Sequence, residues 1–188
     1  MEGREKTLRA NYKDTLWSIY RVGWAFYGQG KYVEAEEMHR RAIEGREKIL
    51  RAEHKDTLWS INGVGWAFYG QGKYVETEEM HCRAMEGREK TLRAEYKDTL
   101  WSINGVGWAF YRQGKYVEAE EMYCWAMEGS EKTLRAKHKD TLESIYWVGA
   151  ALYKQGKYVE AKEIHRRAME GREKTLGAKH KDTLQSIY

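Results

Sequence analysis

The stretch Gln29-Gly30-Lys31-Tyr32-Val33-Glu34-Ala35-Glu36 returns almost letter for letter from Gln71, Gln113 and Gln155. Gly30, Gly72, Gly114 and Gly156 keep a spacing of 42 residues, and so do Asp14, Asp56, Asp98, Asp140 and Asp182. A fixed period of roughly 20 to 50 residues is the signature of an array in which no unit buries its own apolar face and neighbours complete the core. The chain therefore divides into repeats 14–55, 56–97, 98–139 and 140–181. Residues 1–13 match the end of a preceding repeat and 182–188 the start of a following one. Because both ends fall inside a repeat and neither resembles a polar cap, the expectation is a section of a longer array, open to end-to-end self-association.

The formal charge of +4, from 33 basic and 29 acidic residues, is spread with both signs along the same segments, so no basic tract offers itself to a polyanion. Fourteen Tyr, eight Trp and no Pro make the chain too aromatic for disorder and free of the strongest helix breaker. No run approaches the ~18 apolar residues of a membrane span, and no apolar signal core follows Met1. The expected compartment is the cytosol, without a membrane partner.

Within a repeat, an aspartate such as Asp56 suits a helix N-cap. Helix A is predicted from there to about Tyr69, with Gly70-Gln71-Gly72 as a left-handed stop. Helix B begins near Tyr74, carries Glu76, Glu78 and Glu79 at its positive end, and runs to about Leu92 or Arg93. Apolar positions follow the helical period throughout, so the predicted class is all-α. On the first helix A, Leu16, Ile19, Val22, Gly23 and Phe26 share a core side. Gly23, Gly65, Gly107 and Gly149 recur there, at a mid-helix cost of ~1 kcal/mol that fits close approach of helix B. On helix B, the i,i+4 pairs Glu36–Arg40, Glu37–Arg41, Glu44–Lys48 and Glu47–Arg51 describe a solvated outer face. Gly45, Gly87, Gly129 and Gly171 would admit the next repeat.

Little in the chain suggests chemistry. A phosphate loop would need glycine at Ala67 and a hydroxyl at Tyr74. His54, His138 and His180 fall in the inter-repeat turn, and His39, His81 and His165 share one slot of helix B. Cys82 and Cys124 occupy the same place in consecutive repeats, where helix spacings of roughly 8 to 10 Å exceed the reach of a disulfide. With His81 and Tyr123 beside them they offer too few soft ligands for zinc. No nucleophile, base and orienting group recur together, so neither an enzyme, a cofactor nor a metal is expected.

A hairpin with Val22-Gly23, Phe26, Gly30, Tyr32, Ala35 and Ala42 in this order resembles the tetratricopeptide repeat, with the second helix about two turns longer than in the usual unit of about 34 residues. The long period, together with Arg41-Ala42-Ile43-Glu44, Arg46-Glu47-Lys48 and His54-Lys55-Asp56-Thr57-Leu58, resembles the kinesin-light-chain-like subgroup. The near identity of the copies is similar to the C-terminal sensor arrays of fungal NLR-type nucleotide-binding receptors. The resemblance implies a right-handed superhelical solenoid of antiparallel hairpins, with helix A lining a concave groove and helix B on the convex back. The chain departs from the family at Lys55, where a proline is usual, and at the single asparagines Asn62 and Asn104, where the family carries consecutive ones.

The expected function is scaffolded binding of a protein or peptide carrying acidic residues beside apolar anchors. The candidate groove residues are Trp17, Tyr20, Arg21, Trp24, Trp59, Asn62, Trp66, Trp101, Asn104, Trp108, Arg112, Tyr146, Trp147 and Lys154. They gather the second apolar side of helix A and the positions at which near-identical repeats differ. The competing readings are a kinesin-light-chain-like cargo adaptor, a single-strand nucleic-acid binder using base stacking, and a structural spacer.

Overall fold

The computed structural model of the chain describes residues 2–91, 97–134 and 138–176, with side chains from Tyr12 to Thr175. Among these residues there are eight α-helices and no strand: α1 (Glu2–Gly28), α2 (Tyr32–Ile49), α3 (Lys55–Gly70), α4 (Tyr74–Thr91), α5 (Lys97–Gln113), α6 (Tyr116–Leu134), α7 (Lys139–Lys154) and α8 (Tyr158–Leu176). They pair as antiparallel hairpins α1/α2, α3/α4, α5/α6 and α7/α8, the all-α repeat class expected. The chain forms two compact halves, Met1–Thr91 and Leu92–Tyr188.

The turn between the helices of a hairpin is the same each time. Gly30, Gly72, Gly114 and Gly156 have φ of 75, 78, 81 and 81°, a left-handed conformation that glycine adopts without steric penalty. After α3 the amide of Lys73 donates to the Phe68 carbonyl and that of Gly72 to the Tyr69 carbonyl, both at 3.0 Å. These two bonds satisfy carbonyls left over at the helix end. The turn places Tyr69 edge-on to Tyr74 at 5.7 Å, and Tyr27–Tyr32, Tyr111–Tyr116 and Tyr153–Tyr158 meet in the same way.

Helix A starts differently from expectation. The N-cap is His54 for α3 and His138 for α7, whose Nδ1 accepts from the amides of Asp56 and Asp140 at 3.2 Å. The aspartates stand in the first turn, where their charge suits the helix dipole. In the first repeat Tyr12 replaces that histidine, and α1 runs unbroken through Asp14. A phenol cannot fold back onto its own backbone amides as an imidazole nitrogen does, so nothing local starts a new helix there. The residue equivalent to His54 before α5 is Tyr96, outside the described residues.

In the N-terminal half, Ile43 of α2 joins Leu58, Ile61, Val64, Phe68 and Ala84 in one buried cluster, so adjacent hairpins share a core. Burying side chains of this size contributes about 1.5–3 kcal/mol each. Of the core side expected on α1, Leu16 and Gly23 are buried and Ile19 and Phe26 half-buried, but Val22 is 43% exposed. Its equivalents Val64, Val106 and Val148 are buried. Val64 packs in one cluster with Ile43 of the preceding helix B.

The glycines of helix A do admit helix B. A Cβ built on Gly23 would fall 2.7 Å from the His39 ring, and those on Gly65, Gly107 and Gly149 would lie 2.9, 2.7 and 2.8 Å from His81, Tyr123 and His165. The glycines of helix B, expected to admit the next repeat, instead receive a leucine of their own hairpin. Leu16 packs into Gly45, Leu58 into Gly87, Leu100 into Gly129 and Leu142 into Gly171. Of the charge pairs expected on α2, Glu36–Arg40 forms at 2.8 Å. Glu47 reaches Arg83 of α4 at 2.9 Å in place of Arg51, because α2 ends at Ile49 and Arg51 has left the helix.

Candidate functional site

Helix A turns its aromatic residues to two different environments. In the N-terminal half Trp17 is 49% exposed, Arg21 is exposed, and Trp24 and Trp59 are half-buried. Tyr20, Asn62 and Trp66, expected on the same open face, are buried, at 8, 0 and 8% exposure. The Tyr20 ring lies 5.3 Å from His39. Asn62 Oδ1 is 2.8 Å from His81 Nδ1, and the Trp66 ring stands 5.3 Å from His81. The histidine slot of helix B thus draws one side of helix A inward and leaves Trp17, Arg21 and part of Trp24 to solvent.

Sequence reasoning missed what covers Tyr20. Arg46, to which no role was assigned from the sequence, is buried, with its guanidinium 5.1 Å above the Tyr20 ring and Nη1 donating to Ser60 Oγ and to the Asp56 carbonyl. Arg88 lies 4.9 Å over Trp59 and Arg172 5.1 Å over Tyr146. A cation over an aromatic face gains most when desolvated. The spacing held the signal: Ala35, His39, Ala42 and Arg46 lie at helical intervals on one stripe, all buried. The third repeat has Ser130 at this position, and there Ser144 bonds instead with Asn104, whose Nδ2 donates to its Oγ at 3.3 Å.

The C-terminal half gathers rings more densely. Trp147 is 5.4 Å from Tyr146, 5.6 Å from Tyr111 and 5.8 Å from Trp108, and stacks on Tyr123 at 5.9 Å with 25° between planes. It stands where the second repeat has Gly63, whose missing side chain makes room for His39. With Tyr123 in the histidine slot, a stacked pair replaces ring against glycine. Trp101, Asn104, Trp108, Tyr146 and Trp147 remain half-buried, and Arg112 and Lys154 are exposed. Both halves therefore offer partly solvent-reached aromatic rings together with exposed cations, an arrangement that can bury apolar anchors and pair acidic groups.

Burial, with the Arg46 charge adding to it, pushes His39 down to about 4. Burial and Arg88 push His81 down to about 3, and burial and Arg172 lower His165. Burial, with Glu78 and Glu86 nearby, raises the free Cys82 thiol to about 11, and Cys124 is also raised, first by burial. Such thiols are poor nucleophiles. Among the described residues no group of His, Cys, Asp or Glu is arranged to hold a metal ion, and no helix is long and apolar enough to cross a membrane.

A family model described as tetratricopeptide repeat matches residues 25–90 and 67–132, and a second of the same description matches 141–182. No curated protein sequence gives a significant match. Among solved structures, nearly identical TPR-like repeats described as a kinesin light chain from Podospora anserina superpose with a TM-score of 0.80 at 27% identity, covering 92% of this chain and 82% of that one. BtubC (BKLC) from P. vanneervenii gives 0.84 at 17% identity over 97% of this chain and 75% of its own. A Rap protein complexed with competence and sporulation factor gives 0.73 at 16% over 97% and 50%. These last two are alike in fold.

Proposed function

Since the chain belongs to the tetratricopeptide repeat family, we propose that it is a non-catalytic protein-interaction scaffold that takes a peptide or helix of a partner against the solvent-reached aromatic residues of its A helices. The observation that carries this is the division of those rings. Tyr20 and Trp66 are spent on the core, while Trp17 stays 49% exposed beside an exposed Arg21, beyond what packing needs. In the C-terminal half the cluster around Trp147, with Arg112 and Lys154 exposed, gives the same chemistry. A partner bearing acidic residues beside apolar anchors fits both, and Rap, of the same fold, is seen holding competence and sporulation factor.

The near identity of the repeats, together with the likeness to the Podospora array of nearly identical repeats, supports a place as the ligand-sensing repeat region of a larger NLR-type receptor. That array is itself described as a kinesin light chain, which favours cargo adaptation as the second reading. What adjoins this array in the parent protein separates the two: a nucleotide-binding domain or a coiled coil.

Titration of the chain with a random peptide pool and with random single-stranded RNA, each at two salt concentrations, tests the class of ligand. Peptide binding with a shallow salt dependence is the expected result. RNA binding with a steep slope, the mark of counterion release, would replace it with the stacking reading.

A further inference from the structure

Against an almost fixed background, the fourth repeat changes one stripe of helix A. Glu143, Trp147, Ala150 and Lys154 stand at i, i+4, i+7 and i+11 of α7, on one side of the helix. The same register reads Trp17, Arg21, Trp24, Gly28 on α1, then Trp59, Gly63, Trp66, Gly70 on α3, and Trp101, Gly105, Trp108, Arg112 on α5. In this register α7 alone begins with an acid, and α5 and α7 end on a cation where α1 and α3 have glycine. The middle of the stripe is the ring cluster of the C-terminal half: Trp147 lies 5.8 Å from Trp108, 5.6 Å from Tyr111 and 5.9 Å from Tyr123. Those neighbours belong to α5 and α6, so this is the side that α7 turns to the repeat before it. Glu143, Arg112 and Lys154 are exposed around the cluster. The two charged positions are reached by solvent in the third repeat as well, which has a repeat on each side in the sequence: Arg112 is exposed at the register of Lys154, and Trp101 is half-buried at that of Glu143. The helix dipole accounts for Lys154 in the last turn, but not for Glu143, which lies beyond the first turn, where Asp140 stands.

We infer that the C-terminal half takes a bipolar segment of its partner, laid along α7 with an acidic end on Arg112 and Lys154, apolar residues against Trp108 and Trp147, and a basic end on Glu143. This rests on the proposed function and gives that site a polarity, with Glu143 as the residue that selects it. Eleven residues of helix separate Glu143 from Lys154 by about 16 Å, the span of about five residues of extended chain. A segment acidic along its whole length satisfies the two cations but brings a like charge to Glu143, and such juxtaposition rejects a partner. The N-terminal half makes no such demand, because Trp17 and Trp59 hold the position of Glu143 there.

Two fluorescein-labelled peptide pools, titrated into the full chain, test the polarity. In both, about five random apolar positions, the number that fills the span, follow a pair of aspartates. One pool ends on a pair of arginines and the other on a second pair of aspartates, and the bipolar pool is also made in the reverse order. The bipolar pool is expected to bind about fivefold tighter, the upper scale of an exposed ion pair. Glu143→Lys should reverse the preference. Glu143 is exposed, so that variant should melt like the parent, and loss of fold could not reverse a preference. Arg112→Glu together with Lys154→Glu should weaken both pools. Equal binding of the two pools, a preference that Glu143→Lys leaves unchanged, or no loss in the double variant would overturn the bipolar ligand, and the scaffold reading would stand as long as the random peptide pool binds. Failure of every peptide would overturn both.

Discussion

His39 has no exposed surface, and neither ring nitrogen has a hydrogen-bond partner; His81 is equally buried. A proton placed on either ring in the folded chain would be a charge in an apolar slot beside an arginine, Arg46 or Arg88, which is why both stay neutral down to about 4 and about 3. The unfolded chain takes these protons near pH 6.5, so below that value it binds more protons than the folded one. Stability from neutral histidines is thus complete above pH 6.5 and lost as pH falls toward the folded values. At 1.36 kcal/mol per pH unit each ring costs about 2 kcal/mol by pH 5, above most carboxylate titrations. Urea unfolding at pH 7.5 and pH 5.0 should show the fall, and His39→Tyr, the residue that Tyr123 supplies to the same slot, should remove its share. Equal stability at the two pH values would mean the rings are not held neutral. The slot itself was legible in the sequence as a recurring His or Tyr. That Arg46 joins it was not, because an arginine beside glutamates reads as surface until its aromatic partner on the other helix is known.

At the scale of helices, period and turn chemistry were legible because they are local: the apolar spacing marked helix A and helix B, and a left-handed glycine ended each helix A. The starts were misread. Aspartate is a strong N-cap residue, yet here it sits in the first turn and a histidine two residues earlier accepts its amide. Loss of such a cap typically costs about 1 kcal/mol, and removal of a first-turn charge about 0.3–1 kcal/mol. His54→Ala should therefore lower the unfolding free energy by about 1 kcal/mol and Asp56→Asn by about half that. The reverse order, measured by denaturant titration at pH 7.5, would restore the aspartate as the cap. The aromatic face was legible only as a composition. Which ring goes inward depends on the residue opposite, as with His39 over Gly63 against Tyr123 on Trp147, and that pairing spans about 24 positions of the chain.

For the molecule as a whole, a repeat array gains stability unit by unit and interface by interface. What it offers is surface, repeated with small changes. On helix A the near-copies differ at Tyr20-Arg21, Asn62-Gly63, Asn104-Gly105 and Tyr146-Trp147. The structure divides these positions between core and solvent, and the proposed function depends on that division holding. One paired measurement tests it most directly: Trp17→Ala and Trp66→Ala, each assayed for thermal unfolding and for affinity toward the tightest peptide from the titration. Trp66 is 8% exposed against His81, and its removal should cost about 3–5 kcal/mol of stability. Trp17 is 49% exposed, and its removal should leave melting nearly unchanged while weakening the peptide by about 2 kcal/mol. If Trp17→Ala instead lowers the melting temperature as Trp66→Ala does, or leaves peptide affinity untouched, the exposed aromatic face is not a binding surface.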